Sequence, residues 1–472
     1  MRLKFAVVAL GMTLLAGGRL RAQAAVPVTG GPLRLSLAEA IALGLARNPD
    51  LGMSRAAAEA SAAQTMNAKS NQYPDLTLSG NWVRSNTLPE FTTGAVTMMP
   101  TTPPTTGAVP VHIHYLPFPG FAMANTREGD IYGVKVESRY ALYTGGRIQN
   151  GIKAAELNQR SSELLVTQRR NELVYDITQA YNGILMAQEM VRVTDDAYAT
   201  AGGHYRQVKA LYNEGMVSSQ DLLRVETELA RIQSQRVQAK NGLEMAKLGL
   251  KNLLSIDLDT PLEVEDSLSY TPEEIPVAED LYAQALKNRP ETRILDLREQ
   301  MAETLLDIAK ANAYPTVGLF ANYSWDRGQE MPPNDTIWRD GYQAGAAMSV
   351  PLFDGRATEA QVAEAEATLR QLREGKRSLE LGVRTQVSMA VLAMKAARER
   401  IEAERANVKA AEKSYATARE RYAVGLSSNL DVMDAQTQLL SARAQYVAAM
   451  SDYQVARAQL EAAMGNPRGE GK

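Results

Sequence analysis

The stretch that decides the fold occurs twice in this chain. It reads Tyr212-Asn-Glu-Gly215-Met-Val-Ser218-Ser-Gln-Asp221-Leu, and it returns 210 residues later as Tyr422-Ala-Val-Gly425-Leu-Ser-Ser428-Asn-Leu-Asp431-Val. A second stretch, which begins at Tyr73-Pro74, returns at Tyr314-Pro315 with a similar alternation of apolar and polar residues behind it. Two copies of such long segments indicate two structural repeats of the same architecture.

Each copy of the first stretch lies between two long helical segments. Helical periodicity extends over about residues 146–212 and 218–254, and again over about 355–422 and 428–464. Apolar residues at heptad spacing, among them Leu173 and Ile177, predict a coiled-coil seam. About 66 residues at ~1.5 Å each give helices about 100 Å long. Gly215 and Gly425 allow the positive φ that a reversal between antiparallel helices requires.

Four segments show the period of two that predicts β-strands, in hairpins of about residues 75–142 and 316–352. Each is close to the ~9–11 residues of a tilted transmembrane strand. Trp and Tyr stand near the ends of the apolar faces, as in an interfacial girdle. A one-sided sheet on a soluble core gives the same alternation, but two matched hairpins favour the membrane.

The phase of the second strand predicts a water-filled interior. Lys135, Glu137 and Arg139 alternate with Val134 and Val136. Each basic side chain would cost ~2–4 kcal/mol on a lipid face at mid-bilayer, so these residues are expected to line an aqueous lumen.

Four strands are too few to close a membrane barrel, because the smallest membrane barrels have about eight. The predicted fold class is therefore an internally duplicated α+β membrane protein. Other copies of the chain must complete the sheet; three copies give twelve strands, and their long helical hairpins give a helical tube continuous with the barrel.

The N-terminus and the composition restrict the compartment and the chemistry. Residues 1–24 have a basic start, a short apolar run and a small-residue cleavage site, which predict a signal peptide. Its removal takes away four basic residues and no acidic ones, which changes the net charge from −3 to −7. A chain with this negative charge is not expected to bind nucleic acid. The chain has no cysteine, which excludes disulfides and a lipid-modified N-terminus. His112, His114 and His204 form no recognisable catalytic or metal-binding pattern, so the prediction is a protein without enzymatic activity, cofactor or metal.

The predicted organisation has two repeats. The first covers residues 25–254 and begins with an irregular lead-in at 25–35, and the second covers 276–464. A linker at 255–275 joins them, and 465–472 form a tail. The connection at 85–130 is long, and its role stays open.

At this point the chain resembles the TolC-like outer-membrane efflux proteins, over nearly all of its mature length. The resemblance rests first on the duplicated layout. It also rests on two strand-to-helix sequences, which are Leu142-Tyr-Thr-Gly-Gly-Arg147 and Leu352-Phe-Asp-Gly-Arg356. The third feature is the second reversal, which reads Tyr422-Ala-Val-Gly425 followed by Asp431-Val-Met-Asp434. The resemblance implies a homotrimer in outer-membrane lipid that exports small molecules or polypeptides. It also implies a periplasmic adaptor and an inner-membrane transporter of the RND, ABC or MFS type as partners. The substrate and the identity of the pump stay open.

The resemblance also assigns roles to residues at the two reversals. Asp221, Tyr422, Asp431 and Asp434 match positions at a periplasmic gate, and an adaptor would contact Tyr212, Gly215, Ser218, Gly425 and Ser428. Ser427 stands where a related protein has an arginine that ties the gate shut, which leaves that lock in doubt. A capping role for the aspartates is an open alternative. The alternative function is a periplasmic coiled-coil scaffold without channel activity.

Overall fold

The computed structural model describes residues 33–85, 129–275, 277–327 and 337–465. The predicted signal peptide, the loop that carries His112 and His114, and residues 466–472 of the tail lie outside the described residues.

In each half of the described residues, four helices and two long strands follow the same order, and the first half has two further short strands. In the first half they are β1 (Leu33–Leu35), α1 (Leu37–Arg47), α2 (Pro49–Ser70), β2 (Asp75–Ser85), β3 (Gly129–Tyr143), α3 (Arg147–Asn213), α4 (Ser219–Leu254) and β4 (Leu262–Val264). In the second half they are α5 (Ala278–Asn288), α6 (Pro290–Ala311), β5 (Thr316–Arg327), β6 (Arg339–Ser349), α7 (Ala357–Ala423) and α8 (Asn429–Ala463). Helices α3 and α7 both have 67 residues, and α2 and α6 both have 22. The predicted duplication is confirmed.

Local capping explains where the short helices begin. The Ser36 hydroxyl accepts a hydrogen bond from the Glu39 N–H and caps α1, while the Glu39 carboxylate accepts from the Ser36 N–H. The Asn48 side chain caps α2, and Pro49 occupies its first position, where the missing N–H costs nothing. Pro290 has the same place in α6.

The four long strands form one antiparallel sheet in the order β2-β3-β5-β6. Strands β3 and β5 pair, so the sheet joins the two repeats. Glu137 lies opposite Thr77 and Asn322, whereas Val136 lies opposite Leu78 and Tyr323. One face is therefore polar and the other apolar, as the period of two predicts. Strands β2 and β6 are the outer strands of the described sheet.

The structure has a small second sheet that the sequence pattern does not predict. The segments predicted as an irregular lead-in and a linker contain β1 and β4, which pair in parallel with Leu33 opposite Leu262. Three-residue strands are too short to show an alternation, which is why the sequence pattern missed them. Buried tyrosines fasten the linker to the helices: the Tyr181 hydroxyl lies 2.7 Å from Asp266 Oδ2, and the Tyr453 hydroxyl lies 3.1 Å from the Thr271 carbonyl oxygen.

The helices form two levels. Helices α3 and α7 begin at the sheet and end at the two reversals. Helices α2 and α6 lie beside them in the half next to the sheet, and α4 and α8 lie beside them in the half next to the reversals. Helix α3 packs against α8 as well as α4. The sequence predicts that all rods of both helical hairpins continue from the strands, but in the structure only α3 and α7 do so. No helix in the described ranges is both long and apolar enough to cross a membrane.

Candidate functional site at the hairpin tips

The two reversals, here called the first tip (residues 212–221) and the second tip (residues 422–431), share one backbone conformation. Gly215 has φ +69° and Gly425 has φ +72°. The Met216 N–H donates to the Leu211 carbonyl at 2.9 Å, and the Leu426 N–H donates to the Arg421 carbonyl at 2.8 Å. This is the glycine-dependent helix ending known as the Schellman motif, so the expected positive φ is confirmed at both glycines.

Both tips then start the next helix with the same pair of side chains. The Ser218 hydroxyl accepts from the Asp221 N–H at 3.1 Å and donates to Asp221 Oδ2 at 2.6 Å. In the second tip the Ser428 hydroxyl accepts from the Asp431 N–H at 3.2 Å, and the Ser428 N–H donates to Asp431 Oδ2 at 2.8 Å. The capping role that the sequence left open is therefore present. A capping carboxylate keeps its charge, so this role is compatible with an acidic ring.

The acidic pair of the second tip is exposed. Asp431 and Asp434 lie one turn apart on α8, on the same side of the helix. The Ser428 N–H and the Ser427 hydroxyl hydrogen-bond the Asp431 carboxylate and hold its pKa below its usual range. Asp431 is therefore charged at neutral pH.

Tyr422 distinguishes the second tip from the first. Its hydroxyl is shielded from solvent and has no hydrogen-bond partner among the described residues. Burial raises the pKa of Tyr422, and the negative charge of Asp221 raises it further. Tyr212, the equivalent residue of the first tip, is 41% exposed. The structure thus brings Tyr422 and Asp221 together across the two tips, whereas Tyr212 faces solvent.

His204 and Asn429 belong to the site although the sequence pattern assigns neither of them a role. His204 is only 6% exposed, and its Nε2 lies 2.7 Å from Asn429 Oδ1. The spacing of Ala201, His204 and Val208 places His204 on the buried stripe of α3, and this was the available signal. The partner could not be read from the sequence, because Asn429 is 225 residues away.

The predicted lumen residues lie in the sheet, at the end of the long helices opposite to the tips. Lys135, Glu137 and Arg139 share the polar face of β3, and the Glu137 carboxylate forms ion pairs with both basic side chains. They do not contribute to the tips. Within the described ranges there is no cluster of residues able to hold a metal ion.

Comparison with known proteins gave one family. The family model described as outer membrane efflux protein matches residues 40–255 and 281–466, which is most of the chain. No curated protein matched the sequence.

Several solved structures share the fold. VceC, an outer membrane protein of Vibrio cholerae, is 20% identical with a TM-score of 0.74, over 91% of this chain and 96% of VceC. The CmeC outer membrane channel of Campylobacter jejuni is 18% identical with a TM-score of 0.75, over 92% of this chain and 87% of CmeC. The MtrE outer membrane channel of Neisseria gonorrhoeae is 18% identical with a TM-score of 0.72, over 91% of this chain and 89% of MtrE.

Proposed function

The chain belongs to the outer membrane efflux protein family, and we propose that it is a passive export channel, formed by three copies, which opens and closes at the hairpin tips. In this proposal a signal peptide of residues 1–24 directs the chain out of the cytoplasm. The sheet lies in the outer membrane, and the two repeats, 25–254 and 276–464, extend their helices into the periplasm. The family consists of channel proteins, and the proposed role needs no bond-breaking chemistry.

The observation that carries this proposal is an open sheet with an apolar face. Leu78 is 71% exposed and Tyr342 is 81% exposed on that face. Strands β2 and β6 have no strand on their outer sides in the described sheet. In lipid each unsatisfied N–H or C=O of such an edge costs several kcal/mol. Closure by neighbouring copies removes these edges, and three four-stranded sheets give twelve strands.

The helical part supports the same assembly. Helices α3 and α8 pack against each other within one chain, while α4 and α7 lie on the two flanks. Both flanking helices expose large apolar side chains; those of α4 are Leu223, Val237, Met245 and Leu248, and those of α7 are Leu381, Met389 and Leu392. Contact between α4 of one copy and α7 of the next would bury these side chains. Each level then has four helices from each copy, twelve in total.

The proposed pore has charged side chains at both ends. Lys135, Glu137 and Arg139 line the barrel lumen, and Asp431 and Asp434 narrow the periplasmic entrance together with Asp221 and Tyr422. The two tips dock onto a periplasmic adaptor, which connects the channel to an inner-membrane transporter. The transporter supplies the energy, because a passive channel has no energy source of its own.

The alternative is a periplasmic scaffold without channel activity. A scaffold also uses long helical hairpins, but it has no need for an exposed apolar sheet face that carries Trp82, Tyr323 and Trp325. This face favours the channel.

Conductance measurements separate these alternatives. We expect the mature protein to fractionate with the outer membrane, to migrate as a heat-modifiable trimer in detergent, and to conduct ions in planar bilayers. A monomer that is soluble in buffer without detergent, and that does not conduct when mixed with lipid, would contradict the channel.

A double variant tests the acidic entrance. Asp431→Ala with Asp434→Ala removes six carboxylates from a trimer, which should lower the cation preference measured from reversal potentials. Asp259→Ala with Glu274→Ala is the matched control, since both side chains are exposed but lie on the connecting segment away from the tips. Unchanged selectivity in the tip variant would remove Asp431 and Asp434 from the filter.

Docking of an adaptor at the tips has a separate test. The chain contains no cysteine, so Ser218→Cys and Ser428→Cys each introduce a unique thiol. We expect crosslinks from both positions to the co-purifying adaptor, and none from Ser79→Cys on the sheet. Crosslinks from Ser79→Cys alone would place the adaptor at the sheet and contradict docking at the tips.

A further inference from the structure

A buried histidine on α3 forms a hydrogen bond to the first residue of α8. His204 lies on α3, nine residues before this helix ends, and it is 6% exposed. Its Nε2 is 2.7 Å from Asn429 Oδ1, at the first residue of α8. Asn429 is also 6% exposed, so this hydrogen bond is shielded from water.

The other contacts of this pair reach the remaining two helices. The Asn429 Nδ2 donates to the Asp221 carbonyl on α4 at 3.3 Å. The Tyr422 ring on α7 meets the His204 ring edge-on, with 5.3 Å between the centroids. Because the amide nitrogen of Asn429 donates to Asp221, its Oδ1 is the acceptor and the His204 Nε2 carries the hydrogen. All four helices of the two tips therefore meet around the His204–Asn429 pair.

Among the residues that the structure describes, no carboxylate raises the pKa of His204. Burial lowers the pKa of His204, and only the Asn429 hydrogen bond raises it. The titratable group in contact from α7 is the neutral phenol of Tyr422. The carboxylates of the two tips, those of Asp221 on α4 and Asp431 on α8, are each bound in their own capping box with Ser218 or Ser428. On α3 itself, the Lys209 ammonium lies 5.6 Å from the Tyr205 ring centroid.

We propose that His204 and Asn429 form a proton-sensitive clasp: the neutral ring holds the two tips together, and protonation of the ring releases them. This inference rests on the proposed function, in which the tips form the periplasmic entrance. It adds an acid-dependent opening that acts within each protomer.

The direction follows from proton linkage. In a separated tip the ring is hydrated and has an ordinary pKa of about 6.5, whereas in the clasped tip the pKa is lower. The clasp is therefore fully formed above about pH 6.5 and weakens as the pH falls through the lower value. Each unit by which burial lowers the pKa gives about a tenfold bias toward the separated tip once the ring is protonated.

Amide hydrogen exchange of the detergent-solubilised trimer measures the clasp without any channel assay. After correction for intrinsic exchange rates, we expect peptides covering residues 201–222 and 419–433 to exchange up to about tenfold faster at pH 5.5 than at pH 7.5. In planar bilayers the open probability should rise over the same range.

Variants assign the effect to His204. His204→Gln keeps an N–H donor near the Nε2 position but cannot titrate in this range, so its tip exchange should not respond to pH. His112→Gln with His114→Gln is the matched control and should respond like the wild type. Asn429→Asp places a carboxylate against the ring and stabilises the imidazolium, so acid should no longer release the tips even with His204 present.

The outcomes separate this inference from the proposed function. A wild-type pH response that persists in His204→Gln overturns the clasp, and so does wild-type exchange that is equal at both pH values. If the wild type conducts ions but its amide exchange does not depend on pH, the result supports the channel and contradicts the clasp. A His204-dependent exchange response without conductance supports the clasp and contradicts the channel.

Discussion

The two repeats have helices of equal length but different surroundings. Both strand-to-helix junctions place two residues at positive φ: Gly145 and Gly146 in the first repeat, and Gly355 and Arg356 in the second. The first junction packs against Tyr314, whereas nothing lies within 4 Å of a side chain added at Gly355. Duplication has thus kept the backbone conformation that links a strand to a helix, while the packing around it has diverged.

The tips show the same divergence. Both have the glycine ending and the serine–aspartate capping box, yet only the second has a tyrosine hydroxyl shielded from solvent, that of Tyr422, and a buried Asn429. The residues that pack against them come from the first repeat. At the positions equivalent to His204 and Asn429, the sequence has Ser414 and Ser219. The two tips therefore share the same backbone and capping geometry. The His204–Asn429 contact between the repeats, in contrast, has no equivalent at Ser414 and Ser219.

The largest expected effect tests the difference between the junctions. In Gly145→Ala the new Cβ would lie 2.9 Å from Tyr314 Cβ and 3.0 Å from the Ala311 carbonyl oxygen, at φ +64°. Strain of about 1–2 kcal/mol and overpacking of about 1–3 kcal/mol should lower the free energy of unfolding by about 2–5 kcal/mol. Gly355→Ala shares the strain, at φ +65°, but has no clash. Thermal and urea denaturation of the purified trimers should rank the two variants in this order, and equal losses would contradict the packing difference.

The second prediction compares positions that carry opposite charges. Lys251 in α4 is buried and donates to the Leu258 carbonyl, whereas the equivalent residue of α8 is Glu461. Burial raises the pKa of Glu461 from 4.5 to about 7; Arg457 lowers it and Glu273 raises it. The folded state therefore takes up a proton, so the stabilisation is complete below about pH 4.5 and is lost as the pH rises to about 7.

Glu461→Gln should remove this dependence and stabilise the protein by up to about 3 kcal/mol at pH 8. Melting temperatures at pH 5 and pH 8 measure the effect. The wild type should melt lower at pH 8, and the difference between the two pH values should become smaller in the variant. A difference that Glu461→Gln leaves unchanged would assign the pH dependence to another group.

The third prediction concerns the last residue before each long helix. Arg356 has φ +71°, where Gly146 has φ +88°. Arg356→Gly should stabilise by about 0.5–1 kcal/mol, because relief of strain exceeds the entropy that glycine adds to the unfolded chain. The exposed ion pair with Glu359 that it removes contributes little. Gly146→Ala should destabilise by a similar amount, and changes of the same sign in both variants would refute the equivalence of the two positions.

The smallest expected effect distinguishes the caps of the two tips. Ser218→Ala should cost about 1 kcal/mol of local stability. Ser428→Ala should cost a few tenths less, because the Ser427 hydroxyl still donates to Asp431 Oδ2 at 2.8 Å. Amide exchange in the first turns of α4 and α8 measures both, and a larger loss in α8 would show that Ser427 does not support the second cap.

The sequence predicted much of the fold because its signals act over a few residues. Gly215 and Gly425 mark helix ends through hydrogen bonds and torsion angles within one turn. The alternation in the four strands gives the two faces of the sheet without knowledge of strand order. The strands β1 and β4 were not predicted, because three residues are too few to show a period of two.

The candidate site was predictable only in part. The capping boxes at Ser218 and Ser428 follow from residues three positions apart. Nothing within the sequence around His204 indicates Asn429 or Tyr422, since these residues come from the other repeat and approach only when α3 packs against α8.

By itself, then, the sequence determined the duplication, the helix ends, the strand faces and the incompleteness of a four-stranded sheet. Only the tertiary structure decided which helices pair, which of two equivalent tyrosines has its hydroxyl shielded from solvent, and which junction glycine touches a neighbour. The physical reason is the range of the interactions. Capping, torsional preference and side-chain alternation depend on neighbours in the chain, whereas burial depends on surfaces that residues some 200 positions apart bring together.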